Sequence, residues 1–166
     1  MHAPNLLITL IITTLILLSY YVYVHRFFHN KNISDILNHN KFYMLGGLFL
    51  LIVFIICYEY HRNCLYSMLY IMMLLVGLCG VIIIPEYSHR DHYSFVILII
   101  LGALLFMKNN SINSVLILSL CMQLIFLYMF IKQRLIDKNK DIIVYELLLI
   151  SNLIFFYVYL HCLKYC

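Results

Sequence analysis

The 166-residue chain has no tryptophan, two prolines and five glycines, and only 11% of its residues are charged. So little charge excludes the common soluble classes. A soluble domain carries roughly 25% charged residues, and a disordered chain combines high charge with low hydrophobicity. This chain is 65% hydrophobic, with a mean hydropathy of +0.97, and a soluble fold of its size could not hide that much apolar surface from water. The formal net charge of +4 is too small and too scattered for a nucleic-acid surface. What remains is an integral membrane protein. Its fifteen tyrosines take over the interfacial anchoring that tryptophan usually provides.

Chemical signatures are missing as well. The six cysteines, at 57, 64, 79, 121, 162 and 166, form no C-x-x-C pair, so a zinc ribbon or a thioredoxin-type site is unsupported. They read as small apolar side chains in packed helices, with Cys162 and Cys166 open to palmitoylation if they face the cytosol. The chain has no H-E-x-x-H signature, no P-loop, no T-V-G-Y-G filter and no span bearing a ladder of arginines. The reading therefore assigns no cofactor and no metal.

What is present is a series of apolar runs. A spanning helix takes about 20 apolar residues. The runs cover residues 6–24, 42–58, 65–84, 93–107, 114–131 and 142–160. They are too long and too poor in turn residues for barrel strands. The expected fold is all-α, a polytopic transmembrane bundle of six helices forming a single domain over residues 1–166. The first run reads as a retained span, because no lysine or arginine precedes it and bulky Tyr20, Tyr21 and Tyr23 stand where a cleavage site would need small residues. Pro85 ends the third run. The fourth is short and becomes adequate if His92 and Lys108 snorkel to the interfaces. Gly46, Gly47, Gly77, Gly80 and Gly102 are the expected points of close helix approach.

Six spans place both termini on one side. Arg26, Lys31, Lys41, Arg90, Lys132, Arg134, Lys138 and Lys140 fall on the opposite side, against Arg62, Lys108 and Lys164 with the termini. The positive-inside rule puts the better-endowed side in the cytosol.

The same six-span reading sorts the polar residues. His25, His29, His39, Glu86, His89, Asp91 and His92 share one membrane face, with Glu146 about one turn inside it. Glu59 and His61 lie about 30 Å away on the other face. The stretch Glu86-Tyr-Ser-His89-Arg90-Asp91-His92 is the densest cluster. Imidazoles and a carboxylate in that grouping can ligate a metal or serve as acid and base in lipid chemistry. Interfacial histidines more often simply meet water. An acidic group inside a span is costly and tends to be functional with a pairing partner; Arg90 and the connector lysines are the candidates for Glu146. Gln123 and Asn152 read as interhelical hydrogen-bonding groups, and are too few to line a transport path.

Two segments carry a family resemblance. One runs from Gly77-Leu-Cys-Gly80 through Pro85 and His92 to Gly102 and Met107; the other is Tyr145-Glu146-Leu-Leu-Leu-Ile-Ser151-Asn152-Leu-Ile-Phe155. The first resembles the junction between the third and fourth helices of the DRAM family (damage-regulated autophagy modulators) and its FRAG/SFK and CWH-type relatives, where a histidine opens the fourth helix. His92 matches that histidine. The second is similar to the family's last helix, where a glutamate precedes a Ser/Thr-Asn pair and a phenylalanine. The first loop, 25–41, is shorter than in the family. The resemblance implies a six-span protein of the endomembrane system or plasma membrane that modulates membrane traffic, autophagy or lipid handling without catalysis. It also implies cytosolic termini, the reverse of the charge bias, and the sequon Asn32-Ile33-Ser34 suits that orientation. The expected partners are the lipid bilayer and other membrane proteins. The competing reading is an enzyme of lipid or GPI-anchor remodelling that uses His89, Asp91, His92 and Glu146.

Overall fold

The computed structural model describes residues 8, 11–16, 18–19, 22–23, 43–60, 65–84, 89–136 and 143–165. Described residues 8–23 of the first run are helical. Five helices follow: α1 (Tyr43–Tyr60), α2 (Leu65–Ile83), α3 (His89–Asn110), α4 (Ser114–Ile131) and α5 (Ile143–Tyr165). A π-helical turn, Lys132–Ile136, continues α4. No strand occurs among the described residues. The fold is an all-α bundle.

Four helical stretches are long and apolar enough to cross a membrane: Leu65–Ile83, Arg90–Asn110, Ser114–Ile136 and Val144–Leu163. A shorter apolar stretch, Gly46–Ile56, lies in α1. By length and composition these helices mark a membrane-embedded protein. The side-chain distribution points the same way. Outward positions carry Phe54, Leu65, Ile83, Leu118 and Tyr128, while Ser67, Asn110, Ser119, Gln123 and His161 are buried. The first run likewise turns Thr13 and Thr14 inward and Ile12 and Leu15 outward. A water-soluble bundle is patterned the other way, so buried polar and exposed large apolar groups are the informative observations.

The helix around the fourth apolar run is longer than the run. It starts at His89 and ends at Asn110, giving 22 residues or about 33 Å. Polar residues at both ends are thus part of the helix. Asn110 donates to the Phe106 carbonyl (2.8 Å) and to the Ser67 hydroxyl (3.0 Å), tying the end of α3 to the start of α2. Asn113 then caps α4 by accepting from the Leu116 amide at 2.9 Å.

The most extensive helix contact is α2 against α3, and glycine explains it. A Cβ on Gly77 would lie 2.6 Å from Ile99 Cγ1 and 3.0 Å from both Ile99 N and Phe95 O; one on Gly102 would lie 2.9 Å from Tyr70 O. One on Gly80 would clash with the nearest carbons of the Phe95 ring. Gly47 differs from the expectation. It is exposed on α1, with nothing near where its Cβ would stand, because α1 meets α2 through its other face, with Phe49, Ile52, Val53 and Ile56 buried. The core joins these to Ile71, Leu74, Phe106, Met107, Leu116, Phe156 and Tyr157. Phe106 and Phe156 meet edge to face at 6.0 Å, a favoured aromatic geometry.

Candidate functional site

The hydrogen bonds that fix α5 lie part-way down the bundle. Asn152 donates to the Ser119 carbonyl (2.9 Å) and to Gln123 Oε1 (2.7 Å), and accepts from the Ser119 hydroxyl (2.9 Å). This is the interhelical role read for Gln123 and Asn152. Polar groups away from water need such partners, and here three side chains and one carbonyl supply them to one another.

Next to this layer the helices form a partly open cavity of about 220 Å³. All five helices contribute to its wall. The lining is almost wholly aliphatic and aromatic, with Ile52, Leu74, Ala103 and Leu153 typical of it. The polar lining groups are His92 and Tyr93 in the first turns of α3, Gln123 on α4, Arg134 on the π-turn, and Glu146 and Tyr157 on α5. His92, Tyr93, Arg134 and Glu146 come from elements that start or finish at one end of the bundle, and they give the cavity a polar end. Glu146 lies in the first turn of α5, where the partial positive charge of a helix N-terminus favours a carboxylate.

His92 is buried, with 1% of its surface exposed, and its Nδ1 lies 2.8 Å from the Ile84 carbonyl oxygen. A carbonyl only accepts, so Nδ1 carries the proton and donates. The bond also has a structural cause. Ile84 is the last residue before Pro85, which has no amide hydrogen and cannot continue the helix. Carbonyls at a helix end need outside donors, and His92 reaches back from the next helix to supply one. The same turn brings Tyr93 alongside, its ring 5.8 Å from the imidazole and nearly perpendicular to it.

Arg134 closes this end of the site. Its Nη2 donates to the Tyr93 hydroxyl oxygen at 2.6 Å. The π-turn explains how a residue past the apolar run arrives there. Helical winding continues to Ile136, five residues beyond Ile131, and the wider i→i+5 turn re-aims the side chains it carries.

The structure divides the four residues of the enzymatic reading. His92 and Glu146 line one cavity. Asp91, one position from His92 on α3, is exposed and does not line it. Neighbours on a helix point about 100° apart, and here Asp91 takes the outward direction. The His89 backbone belongs to α3, but its side chain lies outside the described residues, as do Glu86, His25, His29, His39, His61 and Asn32. Arg90 is exposed, and the arginine sharing a wall with Glu146 is Arg134. Among the described residues no group of three or more His, Cys, Asp or Glu converges as metal ligands.

Tyr93 and Arg134 were not singled out by sequence reasoning. Arg134 falls in a charged connector and Tyr93 opens an apolar run. The available signal was positional: Arg134 follows the last apolar residue of its run by three, less than one helical turn. No protein-family model, curated protein or solved structure matches the chain.

Proposed function

We propose that this chain is a non-enzymatic membrane protein of lipid handling or membrane traffic, of the kind the DRAM-like segments imply, acting in the endomembrane system or at the plasma membrane. The observation that carries the reading is the cavity: an apolar chamber among membrane-type helices, with His92, Tyr93, Arg134 and Glu146 gathered at one end. Ligand sites are typically apolar chambers with a few placed polar groups. The cavity's partner is an amphiphile drawn from the bilayer. In this reading His92 is a positioning residue that joins α2 to α3 through the Ile84 carbonyl. The test is to purify the protein in mild detergent, identify co-purifying lipid by mass spectrometry, and incubate it with the lipids found. Retention without turnover is the expected result. Turnover that disappears in His92→Asn, which keeps a donor nitrogen on Cγ, would overturn it.

One observation favours the enzymatic alternative. With Nδ1 donating to a backbone carbonyl, Nε2 is the ring nitrogen left to exchange a proton, on the same wall as Glu146. Such an enzyme uses His92 as general base with Glu146 as its carboxylate, and leaves Asp91 out.

A further inference from the structure

We infer that the polar end of the cavity recognises a phospholipid head group carrying both a phosphate and a primary amine, with part of one acyl chain in the apolar chamber. This rests on the lipid-handling reading and names the ligand class of the same site. Three observations combine. First, the chamber has the right scale: about 220 Å³ holds roughly seven groups at about 30 Å³ each, the terminal methylenes of one acyl chain. Second, an arginine is held at the polar end by Tyr93, which accepts from Arg134 at 2.6 Å. A planar guanidinium matches phosphate oxygens two at a time, and the phenol fixes its orientation. Third, Glu146 lines the same cavity, so the site presents both signs of charge. A purely anionic head would meet the carboxylate, and a purely cationic head would meet the guanidinium. A head with phosphate and ammonium satisfies both, and a primary ammonium can also donate hydrogen bonds to the carboxylate.

Native mass spectrometry of the full chain in detergent, delipidated and offered one ligand at a time, tests each part. The probes are lysophosphatidylethanolamine, lysophosphatidic acid without the amine, monoacylglycerol without phosphate or amine, and glycerophosphoethanolamine without the chain. The wild type is expected to bind the first best, by on the order of tenfold over monoacylglycerol, the scale of a charge-assisted hydrogen bond. Arg134→Gln should erase the gain due to phosphate, Tyr93→Phe should reduce it, and Glu146→Gln should erase the gain due to the amine. Val96→Phe, which fills the cavity one turn below His92, should remove binding of every chain-bearing probe. Equal binding of the three chain-bearing probes by the wild type overturns the head-group assignment and leaves the lipid-handling reading standing. Failure of the wild type to bind any of them overturns both. Binding of glycerophosphoethanolamine as tightly as its acylated form also overturns the inference, because the site would then read a free phosphate ester and not a lipid. The comparison among probes uses the wild type alone, so a variant that misfolds leaves the test intact.

Discussion

The α2–α3 contact makes the sharpest prediction, because the glycines of the chain meet different surroundings. In Gly77→Ala the new methyl meets the Ile99 amide nitrogen and the Phe95 carbonyl at 3.0 Å, and backbone cannot step aside without moving the helix. Overpacking of this kind costs roughly 1–3 kcal/mol, and a net loss of one to two changes the folded-to-unfolded ratio by about 5–30-fold. Gly102→Ala meets Tyr70 O at 2.9 Å and falls in the same class. In Gly80→Ala the obstacle is the half-buried Phe95 ring, a side chain, so Phe95→Ala should recover much of the loss in the double variant. Gly47→Ala is the internal control. Nothing stands within 4 Å of its Cβ position, and alanine should be neutral or stabilise α1 by up to about 1 kcal/mol. Unfolding with increasing SDS fraction in mixed micelles, followed by circular dichroism, reads all five proteins on one scale. If Gly77→Ala unfolds at the same SDS fraction as Gly47→Ala, close backbone approach does not hold this pair together.

Three further outcomes follow from particular contacts. Asn152→Leu removes three hydrogen bonds between α4 and α5; at about 0.6 kcal/mol for an average interhelical bond in a membrane protein, the same unfolding assay should show a loss of roughly 1–2 kcal/mol, with Ser119→Ala losing less. His92→Leu strips the donor from the Ile84 carbonyl and should cost about 1–3 kcal/mol, whereas His92→Asn should recover part of that stability; equal losses would argue against the bond. Expression in a glycosylating membrane system reads the orientation. Modification at Asn32, abolished by Ser34→Ala, supports cytosolic termini, and no modification at Asn32 alongside an efficiently modified C-terminal tag supports the charge-bias orientation.

Helix class and approximate position were legible in the sequence, because bilayer thickness sets a run length that composition reports directly. Helix ends were not. The run ending at Met107 says nothing of Lys108, Asn109 and Asn110, which stay helical because Asn110 finds its partners on α2 and in its own helix. Helix faces were harder still. Apolar residues surround these helices on all sides, so no stripe announces which way a polar residue turns. That is why the sequence could not say that Asp91 is exposed and His92 buried. Gly47 looked like Gly77 for the same reason. Arg134 was hidden by the opposite effect: charge marked it as connector, while the π-turn kept it on the bundle.

The buried polar residues then sort by partner, and the sorting bears on what the cavity does. Ser67 with Asn110, and Ser119 with Gln123 and Asn152, are satisfied chiefly by one another across helix pairs. They supply cohesion where apolar contact with lipid costs a helix nothing. His92, Tyr93, Arg134 and Glu146 differ in gathering at one end of the cavity, where α3 and α5 begin and α4 finishes. A transport path needs polar groups along its length, yet most of this wall is aliphatic or aromatic, through Ile71, Ala103, Phe106 and Leu153. A chamber with charged groups at one end and a mostly apolar wall beyond matches a molecule of the same division. The bilayer supplies such molecules at high local concentration, so even modest affinity would keep the chamber occupied. Under the proposed lipid-handling function, selection among lipids falls to the four side chains at the polar end, of which His92 is tied to the Ile84 carbonyl at the end of the neighbouring helix.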